Sequence, residues 1–158
     1  MFDVNQLQPQ ANEAQAQGIV CVIGVLIVNP EGKLFVQKRG PKRRMFPNCW
    51  ECTGGHVENG ETLETCLHRE VEEETGWKVS QVLDLVGVYD WEFERQLSRE
   101  YVFLLEASGD LDNPQVEEGK VTEYKWITPD DVEMLHENRT EGDTHIYDLA
   151  VAGFEKLK

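Results

Sequence analysis

The sequence is short of positive charge. Its 158 residues include 15 lysines and arginines against 30 aspartates and glutamates, which gives a formal net charge of −15. Nucleic-acid backbones and anionic membranes are bound through basic protein surfaces. The composition therefore argues against both as the main partner. It remains compatible with a small phosphorylated substrate whose charge a metal ion offsets.

Long apolar stretches are also missing. The longest, Ile19–Val28, spans ten residues and is interrupted by Gly24, whereas a transmembrane helix needs about 20 residues. The first ten residues contain neither the basic region nor the apolar core of a secretory signal. We therefore expect no membrane anchor and a cytoplasmic location.

The sequence lacks the cysteine pattern of a zinc site or a disulfide framework. Cys49 and Cys52 have the C-x-x-C spacing of a zinc or redox motif, but no second Cys or His pair follows at zinc-finger distance. Four cysteines without a secretory signal do not indicate a disulfide framework. We expect reduced thiols packed in the interior; the four are Cys21, Cys49, Cys52 and Cys66.

The remaining composition is that of a globular protein, with 40% hydrophobic and 9% aromatic residues. The length fits one domain. We therefore treat residues 1–158 as a single domain, in which residues 1–17 form an N-terminal arm or a short early strand.

Apolar β-branched runs alternate with turn residues and predict an α+β fold, an α/β/α sandwich around a mixed sheet. The turn at 29–32 should join the first two strands into a hairpin, Gly54 and Gly55 should break the third, and a charged connection should separate the fourth and fifth. We predict strands at Ile19–Val28, Leu34–Arg39, Trp50–Thr53, Val82–Tyr89, Glu100–Ala107 and Val121–Ile127. We predict helices at Thr62–Thr75, from Thr128 onward and at the C-terminus, where Ile146, Leu149, Ala150, Gly153, Phe154 and Leu157 are apolar.

The helix predicted over Thr62–Thr75 carries acids on the side that should face the core. At 100° per residue, Glu70, Glu73 and Glu74 fall on the same side as the apolar stripe. That stripe consists of Leu63, Cys66, Leu67 and Val71, while Glu64, Thr65, His68, Glu72 and Thr75 should point to solvent.

Local physical rules oppose this arrangement. Glu70 and Glu74 form a like-charge pair four residues apart, and all three acids lie near the helix C-terminus, where the helix dipole disfavours anions. Inward carboxylates are unfavourable unless they are paired or bound to metal, and oxygen ligands favour Mg²⁺ or Mn²⁺ over zinc. A divalent cation site is therefore one interpretation; a solvated, Glu-rich helix face is the other.

The same stretch resembles the Nudix box, in which fixed glycine, glutamate and arginine positions recur at set spacings over 23 residues. All fixed positions match except that a tryptophan stands where an aliphatic residue is usual. The matching residues are Gly55, Glu61, Arg69, Glu70, Val71, Glu73, Glu74, Gly76 and Trp77. The resemblance implies a MutT-like Nudix α/β/α sandwich with a loop–helix–loop that holds Mg²⁺, or Mn²⁺, against a diphosphate.

The resemblance further implies hydrolysis of a nucleoside diphosphate linked to another group. By similarity, Glu73, Glu74 and the Gly55 carbonyl would be metal ligands, and Glu70 a ligand or the base that activates water. Glu61 would assist and Arg69 would orient the glutamates. The family often adds a glutamate from an outside loop, for which Glu118 is favoured over two alternatives, Glu117 and Glu123.

Substrate contacts are expected from a basic cluster just before the box. Arg39, Arg43 and Arg44 are the candidate phosphate ligands, and Trp50 is a candidate for stacking on a base. The alternatives are that the arginines belong to a solvated loop and that Trp50 packs in the core like an ordinary aromatic residue. The Trp50-Glu51 context resembles MutT and favours (d)NTPs or oxidised nucleotides.

Two further functions fit the same resemblance. One is a catalytically silent module that senses a nucleotide, although such relatives usually lose a box glutamate. The other is an enzyme like isopentenyl-diphosphate isomerase, which usually departs from the box. Nudix relatives are often dimers, so a homodimer is possible; the sequence leaves the substrate, the number of metal ions and the oligomeric state open.

Overall fold

Seven β-strands and three α-helices make up the structure, a computed structural model that describes residues 1–158. The strands are β1 (Val20–Ile27), β2 (Leu34–Arg39), β3 (Trp50–Glu51), β4 (Thr53–His56), β5 (Lys78–Phe93), β6 (Gln96–Ser108) and β7 (Val121–Ile127). The α-helices are α1 (Gln8–Ala16), α2 (Leu63–Thr75) and α3 (His145–Lys156), and 3₁₀ helices cover Val4–Leu7 and Pro129–His136.

The strands form two sheets. The larger has the order β4-β1-β6-β5, with β1 parallel to β6 and antiparallel to β4. The smaller is antiparallel with the order β3-β2-β7. Side chains alternate along β1: Ile23 and Val25 pack in a cluster with α2, whereas Leu26 packs in a second cluster with α3. Helices therefore cover both faces of the larger sheet, which confirms the predicted α/β/α sandwich.

The first two strands do not form the predicted hairpin. β1 belongs to the larger sheet and β2 to the smaller, and only an isolated bridge between Val28 and Leu34 links their ends. Both strands are buried and apolar, and such runs identify a strand without identifying its partner. The predicted strand boundaries were right to within one residue, and the predicted pairing was wrong.

The N-terminal segment is helical and part of the core, not an arm or a strand. It forms the first 3₁₀ helix and α1. Only small or isolated apolar residues reach the interior, so the sequence showed a weak periodic signal. The buried residues are Val4, Leu7, Ala11 and Ala14.

Two strand predictions also need correction. Gly54 and Gly55 do not break a strand but lie within β4, paired with Gly24 and Ile23 of β1. A side chain at Gly54 would collide with the Ile23 carbonyl, so glycine permits this close approach. The strands predicted at Val82–Tyr89 and Glu100–Ala107 are β5 and β6, and both are longer than predicted. They form one hairpin, whose turn residues 94 and 95 both have positive φ.

α2 agrees with its predicted range to within one residue. The Thr62 side chain accepts a hydrogen bond from the Thr65 N–H at the N-terminus, and Gly76 adopts the left-handed conformation after the last residue. Among the residues predicted to face solvent, Thr75 is instead buried, and its hydroxyl donates to the Val71 carbonyl. No helix in the structure has both the length and the apolar character needed to cross a membrane.

The Thr62 cap fixes where α2 begins. We expect Thr62→Ala to lower the free energy of unfolding by about 1 kcal/mol, because the Thr65 N–H loses its acceptor. Thr62→Ser keeps the hydroxyl and should be close to wild type in urea denaturation. Equal losses in both variants would contradict the capping role.

Candidate active site

A cleft of about 930 Å³ opens beside α2 and β4. Its lining includes acids and glycines, and also aromatic and mixed polar side chains from the β5–β6 hairpin, the loop after β2 and residues 139–145. The first group includes Gly54, Gly55, Glu70, Glu73, Glu74 and Glu117. The second group includes Met45, Phe46, Trp91, Glu100, Arg139 and His145. The volume lies within the range of small-molecule sites.

Arg69 joins three of the four box glutamates into one network. Its guanidinium donates to both oxygens of Glu61, at 2.6 and 2.9 Å, to Glu70 at 2.8 Å and to Glu73 at 3.1 Å. It also donates to the His56 carbonyl at 3.1 Å. Glu61 is only 9% exposed, and the bond from Arg69 lowers its pKa to about 2. Arg69 therefore holds the loop before α2 against the helix and orients Glu70 and Glu73.

Glu70 and Gly55 lie against each other. A Cβ at position 55 would overlap the Glu70 carboxylate, so the glycine creates the space that this carboxylate fills. The Glu70 side chain is 12% exposed. Burial raises its pKa, although the Arg69 charge opposes the shift. An acid whose pKa burial raises, in a cleft, is a candidate functional group.

Glu74 is the least compensated of the three acids. Its carboxylate accepts a hydrogen bond of 2.7 Å from the Gly54 N–H and makes no ion pair. Burial raises its pKa well above the usual value, and the Gly54 bond opposes that shift only in part. Glu73 differs, because 56% of its side chain is exposed. Two of the three predicted inward carboxylates are therefore buried, and the third lies at the cleft's rim.

This site has the donor chemistry of a hard-cation site. The Glu70, Glu73 and Glu74 carboxylates line the cleft together with Gly55, and all offer oxygen ligands of the kind Mg²⁺ and Mn²⁺ prefer. The acidic and histidine side chains do not already converge as a finished coordination cluster. Ion pairs with Arg69 hold Glu70 and Glu73 instead. The residues fit a divalent cation if these two carboxylates turn from Arg69 toward the cleft.

The three loop glutamates take different places. Glu117 lines the cleft, 34% exposed, and its charge adds to the pKa increases of Glu70 and Glu74. Glu118, the residue favoured from the sequence, is not among the lining residues, and Glu123 forms an ion pair with Lys38. The sequence could not distinguish Glu117 from its neighbour Glu118, because a loop has no periodicity that shows which side chain points inward.

The three arginines of the basic cluster also differ in position. Arg39 and Arg43 line the cleft, but Arg39 already bonds Glu51 at 2.6 Å, whereas Arg43 makes no ion pair or side-chain hydrogen bond. Arg44 lies outside, where it pairs with Glu94 and stacks on Phe93. Among the lysines and arginines that line the cleft, Arg43 alone has no carboxylate partner.

Trp50 is a core residue and lies outside the cleft. It is 5% exposed, and its indole N–H donates to Glu137 at 3.1 Å. Aromatic packing was the alternative stated for this residue. The aromatic residues that do line the cleft are Phe46 and Trp91, and a guanidinium from Arg139 covers Phe46 at 5.0 Å. Sequence reasoning missed Phe46 and Arg139 because both belong to loops brought together only by the fold.

A comparison with protein families decides the identity. The family model of the NUDIX domain matches residues 20–150, which include the whole Nudix box from Gly55 to Trp77. The chain belongs to the Nudix family. Membership places it among pyrophosphohydrolases, enzymes that act on phosphoanhydride bonds.

Individual Nudix relatives support this conclusion. An uncharacterized Nudix hydrolase of Nostoc sp. is 31% identical over 128 residues, 79% of this chain and 75% of the relative. The nucleoside triphosphatase NudI of Escherichia coli is 28% identical over 152 residues, 89% of this chain and 93% of the relative. The crystal structure of a MutT NUDIX hydrolase from Burkholderia pseudomallei has a TM-score of 0.66 and 26% identity, covering 88% of this chain and 98% of that one.

Burial of Glu74 predicts a stability effect with a defined sign. Because the pKa of Glu74 is raised in the folded protein, the folded state binds this proton more tightly than the unfolded state. The contribution of Glu74 to stability then falls as pH rises from the unfolded pKa to the folded one. In EDTA at pH 8, we expect Glu74→Gln to raise the free energy of unfolding by about 1–2 kcal/mol.

The control is Glu72→Gln, which removes the same charge from the exposed side of α2. The gain of Glu74→Gln should shrink at pH 4, measured by chemical denaturation at both pH values. A gain shared equally with Glu72→Gln would show a general charge effect and contradict the role of burial.

Proposed function

We propose that this protein hydrolyses a nucleoside diphosphate linked to another group, with Mg²⁺ or Mn²⁺ as cofactor, and that nucleoside triphosphates or oxidised nucleotides are its substrates. The observation that carries the proposal is the pair of buried acids, Glu70 and Glu74, facing a cleft beside Gly54 and Gly55. Buried carboxylates without enough positive charge need a cation to be ionised together.

The metal would be held by the carboxylates of Glu70, Glu73 and Glu74 and the carbonyl of Gly55, with Glu117 in place of Glu118 as the loop glutamate. Bound there, it would supply charge neutralisation of the diphosphate and a lowered pKa for an attacking water. Glu117 is preferred because it lines the same cleft.

The protein's own groups do the positioning. Arg69 fixes Glu61 and the loop before α2, so the backbone at 54–56 keeps its place beside the acids. Glu70, with its raised pKa and enclosed position, is suited either to binding the cation or to accepting a proton from water. Rigid placement of these groups lowers the barrier by keeping the reacting atoms aligned.

Arg43 is the proposed phosphate ligand. It lines the cleft, and no carboxylate neutralises it, whereas the lining residues Arg39, Lys120 and Arg139 all have acidic partners. A free guanidinium can donate two parallel hydrogen bonds to a phosphate group. It would also attract a polyanion to a protein whose overall charge repels it.

The substrate class rests on composition and on similarity. The net charge of −15 disfavours a polynucleotide, and NudI, to which the chain is similar over 89% of its length, is named for nucleoside triphosphates. We therefore propose a small nucleotide as substrate. A reducing, cytoplasmic environment suits its four free cysteines.

The test is a phosphate- and pyrophosphate-release screen over dNTPs, 8-oxo-dGTP, ADP-ribose, nucleotide sugars, NADH and diadenosine polyphosphates, with Mg²⁺ and with EDTA. Metal-dependent release from nucleoside triphosphates is expected. Tight binding without turnover would favour a nucleotide sensor, and isomerisation of isopentenyl diphosphate without phosphate release would favour the isomerase.

Glu73 tests the catalytic assignment. We expect Glu73→Gln to reduce kcat/KM by about 10²–10³-fold, as loss of one charge-stabilising group typically does, with little loss of stability because the side chain is half exposed. Glu72→Gln, one residue away on the solvent side, should retain wild-type rates. Wild-type turnover by Glu73→Gln would contradict the assigned role.

Arg43 tests the phosphate contact. Arg43→Ala should raise KM roughly tenfold with a small change in kcat, as loss of a charged hydrogen bond predicts. Lys42→Ala is the matched control, since Lys42 is exposed and does not line the cleft. Steady-state kinetics with the best substrate measure both; an unchanged KM in Arg43→Ala would exclude the contact.

A further inference from the structure

An acid–imidazole pair that does not belong to the box also lines the cleft. His145, the first residue of α3, donates from Nε2 to a carboxylate oxygen of Glu100 on β6, at 2.7 Å. The Glu100 side chain is only 12% exposed, and His145 is 39% exposed. Both line the cleft, and the proposed reaction uses neither.

Glu100 breaks the local pattern of the sheet. Along β6, Val102 and Leu104 continue the same face and pack against α3, so an apolar residue is expected at position 100. Glu100 has neither a lysine nor an arginine as partner, and its only side-chain hydrogen bond is to His145. A carboxylate with a single hydrogen-bond partner among apolar neighbours is unfavourable for stability. Its presence therefore indicates a role outside folding.

Gly24, which interrupts the longest apolar run, makes room for this carboxylate. β1 lies beside β6, and a Cβ at Gly24 would lie 2.7 Å from Oε2 of Glu100. The glycine lets Oε2 lie over the strand. His145 holds the other oxygen, so the carboxylate is fixed in place with Oε2 free of protein partners.

An aromatic plane stands next to the carboxylate. Tyr89 of β5 is paired with Glu100, and Trp91 is the next residue along β5 on the same face, diagonal to Glu100 and within reach of long side chains. Trp91 is half-buried and lines the cleft. A ring for stacking beside a fixed group that accepts hydrogen bonds is suited to a planar heterocycle with N–H donors.

We propose that Glu100 is the specificity-determining residue of this cleft, that it accepts hydrogen bonds from a nucleobase with two adjacent N–H donors, as on the guanine edge, and that His145 positions it. A carboxylate offers only acceptors. Adenine, cytosine and uracil each place an acceptor next to the donor on that edge. This acceptor would face the carboxylate's lone pairs and be repelled by them. This inference rests on the proposed function, because it names the base of that nucleotide.

The test measures binding of GMP, IMP and AMP by calorimetry, without turnover. IMP lacks the exocyclic amino group of GMP. Wild type should bind GMP about 10- to 100-fold more tightly than IMP, as one good pair of base contacts predicts. Glu100→Gln should bring the GMP/IMP ratio to within about twofold, because the amide places a donor against one N–H of the base.

The matched control is Asp90→Asn. Asp90 pairs with Arg99 on the same two strands but on the opposite face of the sheet, outside the cleft. It should keep the wild-type GMP/IMP ratio. His145→Ala should lower the ratio, and His145→Gln, which keeps an N–H donor, should restore part of it. Trp91→Ala should weaken the binding of all three nucleotides by the same factor.

Several results would overturn the proposal: equal binding of GMP and IMP by wild type, a preference for AMP, no binding of any of the three, or a GMP preference that survives Glu100→Gln. If Glu100→Gln fails to fold, the GMP/IMP ratios of His145→Ala and His145→Gln test the assignment in its place. Selective GMP binding without hydrolysis of GTP would overturn the proposed function alone. Metal-dependent hydrolysis of GTP and ITP at equal rates would overturn the base assignment alone.

Discussion

Negative charge gathered on one side of a helix is the constraint on which the rest of this structure depends. Glu70, Glu73 and Glu74 lie near the C-terminus of α2, where the helix dipole also opposes them. Arg69 and the Gly54 N–H offset the charge only in part. The helix remains in place because its apolar residues, including Leu63 and Leu67, are fully buried, and the residual imbalance is what a cation would relieve.

Glycines around the cleft make room for its carboxylates and for close strand packing. Gly54 lets β4 approach β1, Gly55 leaves space for the Glu70 carboxylate, and Gly24, the strand partner of Gly54, leaves space for the Glu100 carboxylate. Gly55 and Gly24 thus replace a side chain by room for an acid. The carboxylates that line the cleft form two sets, one facing the proposed metal and phosphates and the other facing the proposed base.

The sequence predicted those parts of the fold that periodicity and caps define. The range of α2 followed from local rules to within one residue, and so did β7. The partner of β1, the helical N-terminus and the choice of Glu117 over Glu118 did not, because strand pairing and loop orientation depend on contacts distant in sequence. Trp50 shows the same limit, since its burial comes from the smaller sheet and Glu137.

The central claim is that the α2 carboxylates bind a divalent cation, and its most direct test is the free energy of unfolding of the wild-type protein as Mg²⁺ is titrated at constant ionic strength and pH 8. A ligand specific for the folded state adds about 1.4 kcal/mol for each tenfold increase above its Kd. We expect this rise in the wild-type protein and its loss in Glu70→Gln. Stability that does not change up to millimolar Mg²⁺ would contradict it.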